Sequence, residues 1–143
     1  MNYTTKIVDF TKYEKEIRLV RNTVFTEEQK ISSAIDFDGL CPECFHGLAR
    51  NGRGIPIGTG RMQKNGHIGR LAVIAKWRGK GIGAALVNEF VSFAQSKGLE
   101  QAYLNSQEQA VGFYEKCGFS SQGEIFYEAG IPHIKMVKYF TPI

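Results

Sequence analysis

The segment Arg78-Gly79-Lys80-Gly81-Ile82-Gly83 sets three glycines at alternate positions, interleaved with two cations, just ahead of a helical repeat. Glycine lets a backbone turn sharply and approach a ligand closely, and the free N–H groups of a new helix favour an anion, phosphate above all. Arg78 and Lys80 add formal charge. The competing reading is a plain turn with incidental glycines. Two nucleotide signatures do not fit. A P-loop needs Gly-Lys followed by Ser or Thr, whereas Lys80 is followed by Gly81. A dinucleotide fingerprint needs G-x-G-x-x-G, whereas Gly79, Gly81 and Gly83 are spaced two and two.

A second cluster, Cys41-Pro42-Glu43-Cys44 with His46, invites a zinc or redox reading. A structural zinc site wants four ligands, and the third cysteine, Cys117, is remote in sequence. A redox pair would open a helix after a strand, and the surroundings here are the opposite. No metal site is expected.

These residues need elements to hold them. Tyr3 to Phe10 reads as a first strand, and Thr11-x-x-Glu14 as a capping box for a helix from about Lys12 to Glu28. Residues 30 to 43 read as loop or short helix. Ten of the sixteen glycines lie between Gly47 and Gly83, which marks the sheet. Three strands are expected there, Phe45 to Arg50, Ile55 to Gln63 and His67 to Ile74, with turns at Asn51-Gly52 and Asn65-Gly66. Ile82, Leu86, Phe90 and Phe93 recur at helical spacing up to Lys97-Gly98, a cation followed by a C′ glycine. Gln101 to Asn105 reads as a strand. Ser106-x-x-Gln109 reads as a second capping box, before a short helix closed by Gly118. Glu124 to Ala129 and Ile134 to Phe140 read as final strands flanking a turn that holds His133. The alternation is α/β, with helices crossing between strands.

The chain of 143 residues is one domain's worth, so residues 1–143 are expected to form a single unit. Eighteen Lys and Arg against fourteen Asp and Glu give a net charge of +4. That suits an anionic ligand, but the charges are interspersed and form no basic run, so no nucleic-acid partner is expected. No apolar stretch approaches the ~20 residues of a membrane span, and no membrane partner is expected. The first residues lack the apolar region of a secretory signal, and three cysteines cannot all pair, so a cytoplasmic protein is expected.

Arg78-Gly79-Lys80-Gly81-Ile82-Gly83 resembles the R/Q-x-x-G-x-G/A coenzyme A signature of the GNAT superfamily of N-acetyltransferases. Gly69-Arg70-Leu71-Ala72-Val73 is similar to that family's central strand. Ala110-x-x-Phe113-Tyr114-Glu115-Lys116-x-Gly118-Phe119 is similar to its C-terminal element. The motifs come in the family's order, and the resemblance covers nearly the whole chain. It implies a mixed, mostly antiparallel central sheet splayed between the fourth and fifth strands and flanked by helices. It also implies acetyl-CoA as cosubstrate, lying in the splay.

By the same resemblance, backbone groups of Leu71, Ala72 and Val73 face the pantetheine arm. Arg78, Gly79, Lys80, Gly81, Ile82 and Gly83 cradle the pyrophosphate, and Asn105 contacts the cofactor. Tyr114 occupies the position of the family's usual general acid, with packing beside Phe113 as its alternative. The acceptor is then a primary amine on a small molecule or peptide, attacking directly in a ternary complex. An alkyl amine is mostly protonated at neutral pH, so a base must help. His133, Glu28 and Asp36 are the candidates, and the sequence leaves the choice open. A homodimer is compatible with the reading. The alternative from another class is a non-catalytic sensor or scaffold that binds coenzyme A.

Overall fold

The computed structural model describes residues 2–32, 36 and 38–140. Among the described residues seven strands fall into two hydrogen-bonded sheets. β1 (Tyr3–Val8), β2 (Phe45–Asn51), β3 (Pro56–Met62) and β4 (Ile68–Val73) pair antiparallel in that order. β5 (Gln101–Gln107), β7 (Ile131–Tyr139) and β6 (Ser120–Glu128) form the second sheet, with β7 in the middle. β4 and β5 run parallel and touch at one bridge, His67 to Tyr103. Beyond it they are not paired. The expected splay between the fourth and fifth strands is present.

Close contacts hold the shut end of the wedge. The Tyr103 N–H donates to the Gly66 carbonyl at 3.0 Å, and the His67 and Tyr103 rings stack 4.6 Å apart. Gly66 has φ +95°, and a Cβ there would stand 2.7 Å from the Gln101 carbonyl oxygen. Only glycine fits.

α1 (Phe10–Arg21) and α2 (Ile82–Ser96) cover opposite faces of the first sheet. The alternation of β2 shows this: Leu48 packs with Phe10 and Ile17 of α1, and Ala49 with Ile82 and Leu86 of α2. Facing α2, β2 and β3 present Gly47 and Gly60, whose absent side chains leave room for the Phe90 ring. Phe90 is wholly buried, and truncating such a residue to alanine typically costs about 3–5 kcal/mol. α3 (Val111–Lys116) follows β5 through a short 3₁₀ turn, Glu108–Ala110.

Several boundaries differ from expectation for identifiable reasons. Asp9, not Thr11, caps α1, its carboxylate accepting the Lys12 N–H at 3.1 Å; Glu14 pairs instead with Arg18 at 2.6 Å. α1 widens into a π-helical turn over Asn22–Glu28. Ser106 lies inside β5, so it caps nothing. β6 begins at Ser120, and its hairpin with β7 turns on Ala129 and Gly130, both with positive φ as a type I′ turn requires. His133 therefore stands on strand β7, opposite Gln107 and Phe126, and not in a turn.

Candidate active site

The open end of the wedge lies at the C-terminal ends of two parallel strands, where α/β sheets take their ligands. There β4 carries a β-bulge: Thr59 pairs with Ala72 and Arg61 with Gly69, so Arg70 and Leu71 together face Gly60. Arg70 has φ +51°, unusual for a residue with a side chain. Downstream of the bulge the Ile74 N–H donates to the Ile57 carbonyl. By strand alternation the backbone groups of Ala72 then point toward β3, and those of Leu71 and Val73 toward the splay. Of Leu71, Ala72 and Val73, the three expected to offer main-chain groups, this alternation turns Leu71 and Val73 to the open side. One of those, the Val73 carbonyl, already accepts from Arg78 Nε at 2.8 Å.

A cleft of about 480 Å³ follows, lined by Leu71, Val73, Gly79, Gly81, Gly83 and Phe113 among others. Gly81 has φ +86° and stands at the α2 N-cap with no side chain to cap it. The first-turn N–H groups of 82–84 therefore lack intrahelical acceptors. A Cβ on Gly83 would lie 3.2 Å from the Phe113 ring, so the cradle has that width because the residue is glycine. Lys80 is exposed on the turn. The donors, the charge and the missing Cβ fit a pyrophosphate with an extended arm along β4.

A second cleft, about 360 Å³, adjoins the first and shares Leu71 and Gln29 with it. Tyr114, His133, Asn105 and Glu128 line one side, and Asp36 and Arg70 the other. Tyr114 packs edge-on against Phe113 and Phe119. Burial pushes its phenol up to about 12. His133 Nδ1 lies 2.7 Å from the Ile131 carbonyl, which only accepts, so Nδ1 carries the hydrogen in the neutral ring. Nε2 keeps its lone pair, 3.8 Å from the Glu128 carboxylate. Asn105 reaches Glu128 at 3.5 Å and stands in this second cleft.

The other two candidate bases are engaged. Glu28 holds Arg78 through both oxygens at 2.7 and 2.8 Å, and the Arg78 guanidinium keeps its carboxyl below the usual range. Asp36 is buried and held by Arg21 at 2.9 Å and Arg70 at 3.3 Å.

The Acetyltransferase (GNAT) domain model matches residues 43–140, from β2 through the splay to the end of β7. The chain belongs to the GNAT acetyltransferase family. A Bacillus subtilis protein described as an acetyltransferase is 38% identical over 125 residues, covering 83% of this chain and 84% of that one. A Lactobacillus plantarum structure described as an N-acetyltransferase superposes with a TM-score of 0.89 at 23% identity, covering 99% and 100% of the two chains. A Bacillus anthracis structure described as a streptothricin acetyltransferase contains acetyl coenzyme A. It has a TM-score of 0.61 at 24% identity over 70% of this chain and 64% of that one.

In this GNAT family member the sequence reading missed one cluster: Arg21, Arg61 and Arg70 converge on Asp36 and Asp38 beside the second cleft. Asp38 is drawn down to about 2 by the Arg61 guanidinium hydrogen-bonded to it. Cys41 joins the cluster, its sulfur accepting from Arg21 Nη1 at 3.1 Å. Cys41 thus packs within the cluster, while the half-buried Cys44 donates its thiol to the Leu40 carbonyl, and among the described residues no cluster of three or more His, Cys, Asp or Glu side chains is placed to hold a metal. Among the described residues no helix is long and apolar enough to cross a membrane.

Proposed function

We propose that the enzyme transfers an acetyl group to a primary amine held in the Tyr114–His133 cleft, by direct attack within a ternary complex. Acetyl transfer from acetyl-CoA follows from the family; the acceptor class and the residue roles are this reading's own. The observation that carries it is Leu71. It lines both clefts, at the bulge where β4 parts from β5.

Acetyl-CoA supplies an activated thioester and a thiol leaving group. The α2 N–H groups, Lys80 and Arg78 hold the pyrophosphate. The splay-facing N–H groups of Leu71 and Val73 hold the arm and stabilise the oxyanion that forms on the thioester carbonyl. His133 Nε2 accepts the proton that the amine sheds as its nitrogen bonds the acetyl carbon. Tyr114 donates a hydrogen bond to sulfur as the C–S bond breaks.

A phenol near 12 stays protonated at neutral pH, which suits a donor. Outright transfer to an alkyl thiolate, which is less basic than a phenolate near 12, would be uphill. The sulfur therefore takes its proton from the medium or from the base, and Tyr114 stabilises its charge in the transition state.

His133→Gln and Tyr114→Phe test the roles. Each is expected to lower kcat by roughly 10²–10⁴ while acetyl-CoA affinity persists, since each group acts in the transition state. A His133→Gln protein that runs at the parental rate rejects the base assignment.

A further inference from the structure

One wall of the second cleft gathers groups that accept hydrogen bonds. His133 lies opposite Gln107 and Phe126 in the β5–β7–β6 ladder, and strand alternation puts Asn105 and Glu128 on the same face. Asn105, Glu128 and His133 all line the cleft. The imidazole is held in place, because Nδ1 is committed to the Ile131 carbonyl and the Phe126 ring stacks on it at 6.0 Å. Its Nε2 lone pair stands 3.8 Å from one Glu128 oxygen. Asn105 Nδ2 reaches the other oxygen at 3.5 Å, and since a carboxylate only accepts, the amide oxygen of Asn105 remains as a further acceptor.

Glu128 also differs from the other acids about the two clefts. Glu28 is held by Arg78, and Asp36 and Asp38 are held by Arg21, Arg61 and Arg70. Among the described residues no Lys or Arg forms an ion pair with the Glu128 carboxylate, whose side chain is 53% exposed. Lys135, opposite Asn105 in the ladder, lies over the Tyr103 ring at 4.9 Å and is not part of the cleft wall. His67 is part of that wall, and burial lowers its imidazole, so it is neutral at physiological pH. A carboxylate, an imidazole lone pair and an amide oxygen offer acceptors and a negative charge. The group that complements them has several donors, a positive charge and no acceptor, which describes an alkylammonium ion.

We infer that Glu128 is a specificity residue that binds the acceptor's amine as its ammonium ion, beside His133 Nε2. The enzyme then prefers basic aliphatic amines to arylamines and hydroxyl compounds, which are uncharged at neutral pH. Over the whole reaction the bound ammonium gives up two protons as the N–C bond forms and the C–S bond breaks; one ends on the thiol and the other in the medium. This inference rests on the reading of the second cleft as the acceptor site.

Cyclohexylamine, cyclohexanol and aniline test it in the whole enzyme, as rings of similar size of which only the first is charged at neutral pH. Calorimetry on the CoA-loaded protein is expected to show cyclohexylamine binding roughly tenfold or more tighter than either neutral compound in low salt, with the ratio shrinking as salt screens the charge. Glu128→Gln should bring the ratio near one with acetyl-CoA affinity unchanged, and Glu128→Asp should restore part of it. In turnover, Glu128→Gln should raise the cyclohexylamine KM by roughly tenfold or more and leave kcat within a few-fold, the mark of a binding group. A loss confined to kcat overturns the docking role. Should Glu128→Gln fail to fold, the parent ratios and Glu128→Asp still decide. Absence of a preference for cyclohexylamine in the parent, whether all three compounds bind or none does, overturns the ammonium site. Thiol release from cyclohexylamine without that preference does so while leaving the acceptor reading in place. A preference that Glu128→Gln abolishes, without thiol release from any amine, sustains the ammonium site and rejects the transferase reading on which it was built.

Discussion

Glu28 and Arg78, fifty residues apart, meet as a two-pronged ion pair that joins the π-helical end of α1 to the glycine turn. Arg78 also donates to the Val73 carbonyl, so one side chain ties together the end of α1, the β4 edge and the glycine turn. The pair is exposed to solvent, and its worth to stability is correspondingly small.

Glu28→Gln separates charge balance from catalysis. With its counterion gone, Arg78 presents its full charge to the pyrophosphate, and acetyl-CoA should bind a few-fold more tightly in low salt, an advantage that fades at high salt. The kcat should stay within about twofold. A fall in kcat of a hundredfold, with affinity unchanged, would make Glu28 the base in place of His133.

Gly83→Val narrows the cradle. Its Cβ would stand 3.2 Å from the Phe113 ring inside the cofactor cleft, while the α2 first turn tolerates valine at a cost of under about 1 kcal/mol. Acetyl-CoA Kd is expected to rise by roughly tenfold or more, which is at least ~1.4 kcal/mol, with little change in Tm. Gly83→Ala should fall between valine and the parent. Titration of a folded Gly83→Val protein with parental affinity would remove the turn from the cofactor site.

Acid should weaken the fold in two windows. Burial holds His46 at about 4 against 6.5 for a free imidazole, so the unfolded chain binds the proton more readily between those values. Stability from this residue is complete above about pH 6.5 and is lost as pH falls toward 4, to roughly 3 kcal/mol in all. Asp38, drawn to about 2, adds a loss as pH falls from about 4 toward 2, of order 1 kcal/mol after solvent screening. Urea midpoints from pH 8 to pH 4 should decline in the parent. They should flatten in His46→Asn, which cannot titrate. A parental midpoint independent of pH across that range would contradict the assignment.

Much of this site was legible as local pattern. The turn Arg78 to Gly83 and the α2 repeat depend on neighbours in sequence, and both stand where the spacing puts them. Boundaries failed where two local signals competed. Thr11 and Asp9 both offer an N-cap oxygen, and the chain uses Asp9; Ser106 offers one too, but the β5–β7 ladder continues through it. His133 was misplaced into a turn because Pro132 reads as a loop residue, whereas the chain reverses on Ala129 and Gly130. The arginine cluster was illegible for a different reason. Arg21, Asp36, Arg61 and Arg70 lie on four separate segments, and only the packing of α1 and the bulge of β4 bring them together.

Incubation of the parent enzyme with acetyl-CoA labelled in the acetyl group, against a panel of primary amines, tests the central claim most directly. Free thiol and labelled amide should appear one for one with the accepted amine, and the protein should carry no label when the amine is omitted, as direct attack requires. Saturable acetyl-CoA binding without amine-dependent thiol release from any member of the panel would contradict the account and leave a coenzyme A-binding sensor in its place.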